Sequence, residues 1–246
     1  MLKTDRLITA EKFSALFAGG GMTVDDKQYA AFSRYAELLC EWNEKMNLTA
    51  ITDPEGIALK HFYDSVYPFA LLPPPEGASL IDVGTGAGFP AVPLKIYRGD
   101  IDITLLDGLN KRVNFLKAVS DELGLGAECL HGRAEEAGRF MKEGTPLRER
   151  FDAASARAVA SLRELCEYCL PFVRVGGRFY ALKGKTGHDE LAEAENAIKT
   201  LGGKVGEVKG YTLPNGDERV LAVIEKVSRT PDKYPRNAGQ MKKKPM

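Results

Sequence analysis

The stretch LIDVGTGAGFP, residues 80–90, limits what this chain can fold into more than any other. Leu80, Ile81 and Val83 read as the end of a buried strand that also carries Asp82. Glycines then recur at 84, 86 and 88, where a missing Cβ permits a tight turn that a ligand can approach closely. From Ala91 to Ile96 an apolar pattern resumes that suits a helix packed on a sheet. Strand, glycine-rich turn and helix start together describe the nucleotide site of a doubly wound fold. The spacing is GxGxG, not the GxGxxG of dinucleotide enzymes, and an acid precedes it. That variant points to S-adenosylmethionine (SAM), whose sulfonium and amino groups are cationic and which needs no pyrophosphate cradle. The alternative is a plain glycine-rich turn, so the rest of the chain must discriminate.

Downstream of Ala78, strands and helices alternate, which predicts a mostly parallel α/β sheet. Strands are expected at 79–83, 101–106, 127–130, 151–155 and 178–182. Two more, near 205–211 and 219–224, flank Pro214-Asn215-Gly216 and form an antiparallel closing hairpin. Residues 1–75 read as helical. In the long helix ending near Lys45, Phe32, Tyr35, Leu39, Trp42 and Met46 fall on one face, a core-packing stripe. A further helix begins at Asp53-Pro54 and carries His61, which suits a structural histidine as well as an RNA contact. Pro73 to Gly77 is a stiff linker. The expected division is a helical N-terminal region over 1–75, an α/β domain over 76–227 and a flexible basic tail over 228–246. From Arg229 onward six cations face Asp232 alone, which suits either a solvated tail or an RNA-contacting arm.

In an open α/β sheet, ligands bind beyond the carboxyl ends of the strands. Asp82 and the turn, Asp107, Ala134-Glu135 and Arg157 all fall there. Asp107 ends the second strand, 25 positions beyond Asp82, where an acid accepts both ribose hydroxyls of an adenosine. Ala134 and Glu135 are placed to reach the adenine through a backbone amide and a carboxylate. Several other chemistries lack their residues. Phe179 stands at the glycine position that a Walker loop ending in Lys185-Thr186 requires. After the fourth strand the chain reads SARA (155–158), without the Asp/Asn-Pro-Pro-Tyr of exocyclic-amine methyltransferases or the Pro-Cys of carbon methylation. No Gly-x-Ser-x-Gly elbow or metal-type His/Cys cluster is present. These gaps suit a nucleophile that already owns a free lone pair, such as guanine N7, for which positioning and electrostatics suffice.

Composition adds bounds. At 246 residues the chain can bury roughly 70–75 % of its unfolded surface. Lys plus Arg and Asp plus Glu are both 34, so net charge gives no polyanion signal, although local segregation still can. With no membrane-length apolar run and no signal-peptide core at the N-terminus, a cytoplasmic protein is expected. Cys166 and Cys169 have redox-motif spacing but lie in a helical pattern without Gly or Pro, so buried reduced thiols are expected.

The combination MNLTAI (46–51), LKHFYDS (59–65), DVGTGAGFP (82–90), LLDGLNKRVNFL (105–116), GRAEE (132–136), ARAVASL (156–162) and YALKG (180–184) resembles the RsmG/GidB family, bacterial 16S ribosomal RNA guanine-N7 methyltransferases. The likeness runs from about Tyr35 to the basic tail. It implies a class I SAM-dependent methyltransferase fold, Rossmann-like and mostly parallel with a C-terminal antiparallel hairpin, under a helical N-terminal cap. It implies a substrate guanine near the decoding site, in 16S rRNA or the small ribosomal subunit, and a monomer with no membrane partner. Carried over by residue, Gly84, Phe89, Ala134, Glu135 and Arg157 contact SAM and Asp107 its ribose. Together with the turn, the expected cofactor set is Asp82, Gly84, Thr85, Gly86, Gly88, Phe89, Asp107, Ala134, Glu135 and Arg157. Gly108 departs from the serine common in the family, which removes a hydroxyl contact. Arg157 suits SAM, the flipped guanine or a phosphate, and is the one candidate for a catalytic contact. His61, Lys111, Arg112 and Lys183 are the candidate RNA contacts. Two other classes are weighed: an NAD-dependent oxidoreductase, disfavoured by the glycine spacing, and a non-catalytic RNA-binding module on the same fold. Methylation of another RNA is the nearer alternative.

Overall fold

The computed structural model describes residues 6–139, 147–157 and 160–246. Helix α1 (Ala10–Gly19) is followed by α2 (Asp26–Met46). A capping box opens α2: Asp25 Oδ1 accepts the Gln28 N–H at 2.7 Å and Gln28 accepts the Asp25 N–H at 2.9 Å. Asn47, at φ 51°, ends it in the left-handed conformation. Next, α3 (Pro54–Gly56) passes into a π-helix over Ile57–Tyr63 and then α4 (Asp64–Leu71). The π-helix was not expected from residue pattern, and such turns concentrate at functional sites.

The remainder alternates as expected: β1 (Ser79–Val83), α5 (Ala91–Tyr97), β2 (Asp102–Asp107), α6 (Asn110–Leu123), β3 (Glu128–His131), α7 (Ala134–Ala137) and β4 (Phe151–Arg157). Then follow α8 (Leu162–Cys169), β5 (Val173–Gly184), α9 (Gly187–Thr200), β6 (Gly203–Thr212) and β7 (Glu218–Lys226), with α10 (Ala238–Lys243) in the tail. The sheet order is β3-β2-β1-β4-β5-β7-β6. β1 to β5 pair in parallel, and β7 is antiparallel to both β5 and β6. After β3 the chain returns to place β4 against β1, so a crevice opens at the carboxyl ends of β1 and β4. β4 runs two residues beyond its expected end, because Ala156 and Arg157 pair with Ala181 and Leu182.

Strand side chains alternate between two cores. Leu80, Leu105, Tyr180 and Leu221 face α1, α2, α5 and α6, packing with Phe13, Phe32, Val92 and Phe115. Ile81, Leu106, Phe179 and Ala222 face α8 and α9. The helices before Pro73 thus share one hydrophobic core with the sheet. Tyr35, from the expected stripe of α2, donates its hydroxyl proton to the Ala87 carbonyl in the glycine-rich turn. Cys166 and Cys169 are free and fully buried among these residues, and burial pushes both thiol pKa values up.

The tail departs from the expectation of a flexible segment. Glu167, 1 % exposed, receives Arg236 Nε at 2.9 Å and Nη2 at 2.6 Å. Arg148 donates to the carbonyls of Gly138, Thr230 and Tyr234. Lys226 Nζ, fully buried, donates to the carbonyls of Leu170 and Val173 and to Thr230 Oγ1. Met241 of α10 is buried. A charge count along the tail misses this docking because Glu167, Glu149 and Arg148 lie 69 to 86 residues upstream of the tail residues they meet. The contacts cluster where β5 begins and β7 ends, at the pole of the sheet opposite the crevice.

Candidate active site

The glycine-rich turn is fastened to the end of β2. The N–H groups of Gly84 and Thr85 donate to the Leu106 carbonyl at 2.9 and 3.2 Å. Asp107, 3 % exposed, accepts the Gly86 N–H on Oδ2 and the Leu109 N–H on Oδ1, both at 2.9 Å. Arg112 Nη1 stands 3.6 Å from Oδ2. A carboxylate offers about four lone-pair sites, so the held acid keeps accepting capacity for further donors.

Gly84 and Gly86 adopt φ +68° and +62°, the left-handed region that glycine enters without strain. A Cβ on Gly86 would meet nothing within 4 Å, so its approach face is open. Gly88 differs. Its Cβ would fall 2.7 Å from the Val92 side chain and 2.8 Å from Tyr35 Oη, so that glycine serves helix packing and does not face the cleft.

Asp82 lies fully buried beneath the turn, in register with Ser155 of β4. Ser155 Oγ donates to its Oδ1 at 2.7 Å, and the Thr85 hydroxyl and the Ala91 backbone N–H also stand against the carboxylate. Burial pushes its pKa up to about 6, opposed by the neighbouring Thr85 and Ser155 hydroxyls and by the charge of Arg157. A buried acid beneath a glycine-rich turn makes the open face above it favourable for a cationic group.

Three cavities follow one another along the carboxyl ends of the strands. The first, about 420 Å³, is lined by Gly84, Leu106, Ala134, Glu135 and Tyr168 among others. The second, about 440 Å³, shares Gly84, Gly108 and Arg133 and adds Asp107, Leu109, Arg112 and Arg157. The third, about 410 Å³, shares Arg157 and adds Lys60, His61, Asp64, Tyr211 and Arg219 among others. Gly84, Gly108 and Arg133 thus join the first cavity to the second, and Arg157 joins the second to the third.

Phe89 stands behind Arg157, whose guanidinium carbon is 5.1 Å from the ring centroid. The Phe89 ring is stacked on His61. His61 Nε2 lies 2.8 Å from Thr49 Oγ1. Burial, together with the charge of Arg157, lowers the imidazole pKa to about 4, so the ring is neutral near pH 7. Arg157 Nη1 also donates to the Lys60 carbonyl at 3.2 Å and Ser65 Oγ at 3.1 Å.

The sequence candidates thus divide. Gly84, Asp107, Ala134, Glu135 and Arg157 line the cleft, while Asp82, Thr85, Gly88 and Phe89 are buried behind it. Lys111 is exposed and Arg112 half-buried at the start of α6, beside the second cavity. His61 and Lys183 line the third cavity, but both are largely buried and already engaged. His61 is 7 % exposed, and Lys183 Nζ is held by Glu190 at 2.8 Å and the Ala160 carbonyl at 2.8 Å. Asp64, Tyr168, Tyr211 and Arg219 were not singled out from sequence. The signals available in sequence are slight: Arg133 adjoins Ala134, and Asp64 stands three residues after His61.

Comparison with known proteins gives concordant findings. The GidB family profile, rRNA small subunit methyltransferase G, matches residues 28–220. A ribosomal RNA small subunit methyltransferase G from Alkaliphilus metalliredigens is 53 % identical over 92 % of this chain and 94 % of its own length. Its namesake from Leuconostoc mesenteroides is 48 % identical over 97 % of this chain and 100 % of its own. Among solved structures, a SAM-dependent methyltransferase from Aquifex aeolicus is 18 % identical, with a TM-score of 0.50 over 72 % of this chain and 96 % of that one. M. jannaschii TYW2 in complex with AdoMet also has a TM-score of 0.50, at 12 % identity over 62 % of this chain and 70 % of that one. These structural likenesses concern the fold.

Proposed function

Since the chain belongs to the rRNA small subunit methyltransferase G family, we propose that it transfers the methyl group of SAM to N7 of a guanine in 16S rRNA near the decoding site. It is an enzyme, not a binding module that has kept the fold. The observation that carries the reading is the cleft itself, in which an acid-lined nucleoside portion opens at Arg157 into a further cavity.

The residues fit SAM. The Gly84–Gly86 turn would hold the cationic methionine end, and Asp82, buried beneath the turn, would favour that charge through its own. Asp107, fixed by two backbone amides, would accept the ribose hydroxyls, and Ala134 with Glu135 would bound the adenine. When bound, SAM supplies a methyl group made electrophilic by its sulfonium. The chain then need only fix the acceptor and shield the path from water, because guanine N7 requires no base to attack. Arg157 stands between cofactor and acceptor, and Phe89 and His61 fix its guanidinium from behind. Lys111 and Arg112 would meet RNA phosphates at the mouth.

Among the described residues no helix is long and apolar enough to cross a membrane. The enzyme would act in the cytoplasm as a monomer on rRNA or the small subunit. The test is borohydride and aniline cleavage of 16S rRNA, which cuts at N7-methylguanine, after incubation with protein and SAM. A single new cut near the decoding site is expected. The absence of any cut on naked RNA and on small subunits alike would refute the reading.

A further inference from the structure

We propose that the third cavity receives the acceptor guanine and that Asp64 reads it, accepting hydrogen bonds from N1–H and the exocyclic amino group. The inference rests on the guanine-N7 reading above and adds the residue that selects the base.

Three observations carry it. The first is position: Arg157 alone among the residues named here lines both this cavity and the one holding Gly84 and Asp107, so an acceptor beside it faces the cofactor end of the cleft. At about 410 Å³ the cavity lies within the ordinary range for small-ligand sites and can take an everted base. Tyr211, half-buried on its wall, offers a stacking surface.

The second is the chemistry that N7 transfer imposes. Arginine usually recognises guanine through O6 and N7, but here the N7 lone pair must point at the methyl group and stay free. Recognition is left to the opposite edge, where guanine presents the N1–H and amino donors that adenine lacks. Donors need acceptors. The purine also becomes cationic as the bond forms, so a carboxylate at that edge stabilises the transition state more than the ground state.

The third is the state of the two acids that line the cavity. Glu190 is already occupied. Its Oε2 accepts Lys183 Nζ and the Leu162 N–H, both at 2.8 Å, and its Oε1 accepts the Thr186 hydroxyl at 3.2 Å. Asp64 is not. Its two oxygens share the single Nε–H of Arg219, at 3.3 and 3.1 Å, while Arg157 Nη1 is 3.9 Å from Oδ2. Two guanidiniums and the neighbouring Tyr211 hydroxyl thus hold a carboxylate at 8 % side-chain exposure, and of its roughly four lone-pair sites some stay open to a ligand.

The experiment compares guanosine with inosine at the acceptor position of a reconstituted small-subunit RNA. Inosine keeps N7, O6 and N1–H but lacks the amino group. For the wild-type enzyme we expect the methylation rate at limiting RNA, and the RNA affinity by anisotropy, to fall at least tenfold on inosine. For D64N we expect a loss on guanosine, an unchanged SAM affinity by calorimetry, and an inosine penalty reduced to less than threefold. D64E, which keeps the charge but displaces it, serves if D64N does not fold, with the same reduced penalty expected. Equal wild-type rates on the two RNAs, or an undiminished penalty in a folded variant, would overturn the assignment. Wild-type methylation of guanosine in the same assay separates that failure from a failure of the guanine-N7 reading.

Discussion

The imidazole of His61 lies parallel to the phenyl ring of Phe89, with centroids 4.4 Å apart and planes 11° from parallel. One ring comes from the π-helix and the other from the end of the glycine-rich turn. The pair therefore fastens the helical layer to the turn directly behind Arg157. The stack works with a neutral imidazole, which a protonated ring beside a guanidinium would disrupt.

That neutrality has a pH signature. The folded-state pKa of His61, about 4, lies below its ordinary value of 6.5, so the unfolded chain takes up the proton first. The stabilisation is complete above pH 6.5 and is lost as pH falls from there towards 4, on the order of 3 kcal/mol in all. Urea unfolding of wild type and His61→Asn between pH 7 and pH 4 isolates it, because other titrations cancel in the difference. The stability gap should shrink by that amount towards pH 4. A gap independent of pH would mean that the imidazole is not held neutral.

Asp82 titrates in the opposite sense. Burial raises its pKa to about 6, so near pH 5 it is mostly protonated, and a cationic ligand would have to expel that proton. SAM affinity should accordingly rise with pH through about 6 and level off above 7, with proton release at the acidic end. Calorimetry in buffers of different ionisation enthalpy measures both effects. Asp82→Asn should bind SAM more weakly at pH 8 and show no slope between pH 5 and 7; a retained slope would assign the proton to another group.

The turn glycines separate ligand approach from packing. Gly86→Ala puts a methyl group into open space at φ +62°, with a strain of about 1–2 kcal/mol. Its main effect should be on SAM, with affinity reduced at least tenfold and a modest loss of stability. Gly88→Ala adds overpacking against Val92 and Tyr35 to the strain at φ +99°. It should destabilise the protein by about 3 kcal/mol or more in total. Equal stability losses in the two variants would contradict the different environments of the glycines.

What could be read in the chain follows the range of the interaction. Strand periodicity and the 80–90 turn foretold a mostly parallel sheet with an antiparallel hairpin, because both are local signals. Asp107, Ala134, Glu135 and Arg157 were found at strand ends for the same reason. The π-helix escaped, since a run of Ile57 to Tyr63 carries no residue pattern separating it from an α-helix. Asp64 with Arg219 escaped because the partners are 155 positions apart. Lys183 reads from sequence as a free cation, and only the fold brings Glu190 to its ammonium. Gly88 shows a subtler limit: the motif marks a glycine, but the side chain of Tyr35 in α2 gives its reason.

The basic tail follows the same logic. An RNA arm would have to reach the cleft, yet residues 229–236 dock at the opposite pole through Glu149, Arg148 and Glu167. Removing Arg236 leaves Glu167 buried and unpaired, which typically costs about 3–5 kcal/mol. Truncation before Arg229 additionally strips Thr230 from Lys226, whose ammonium is fully buried. Arg236→Ala should therefore lower the urea midpoint sharply, and Glu167→Gln in the same chain should recover part of the loss, since the double mutant no longer buries an unpaired charge. The slope of log K for rRNA against log salt should be unchanged in Arg236→Ala at temperatures where it remains folded. A slope shallower by about one ion, without loss of stability, would instead make Arg236 a phosphate contact and the tail part of the RNA interface.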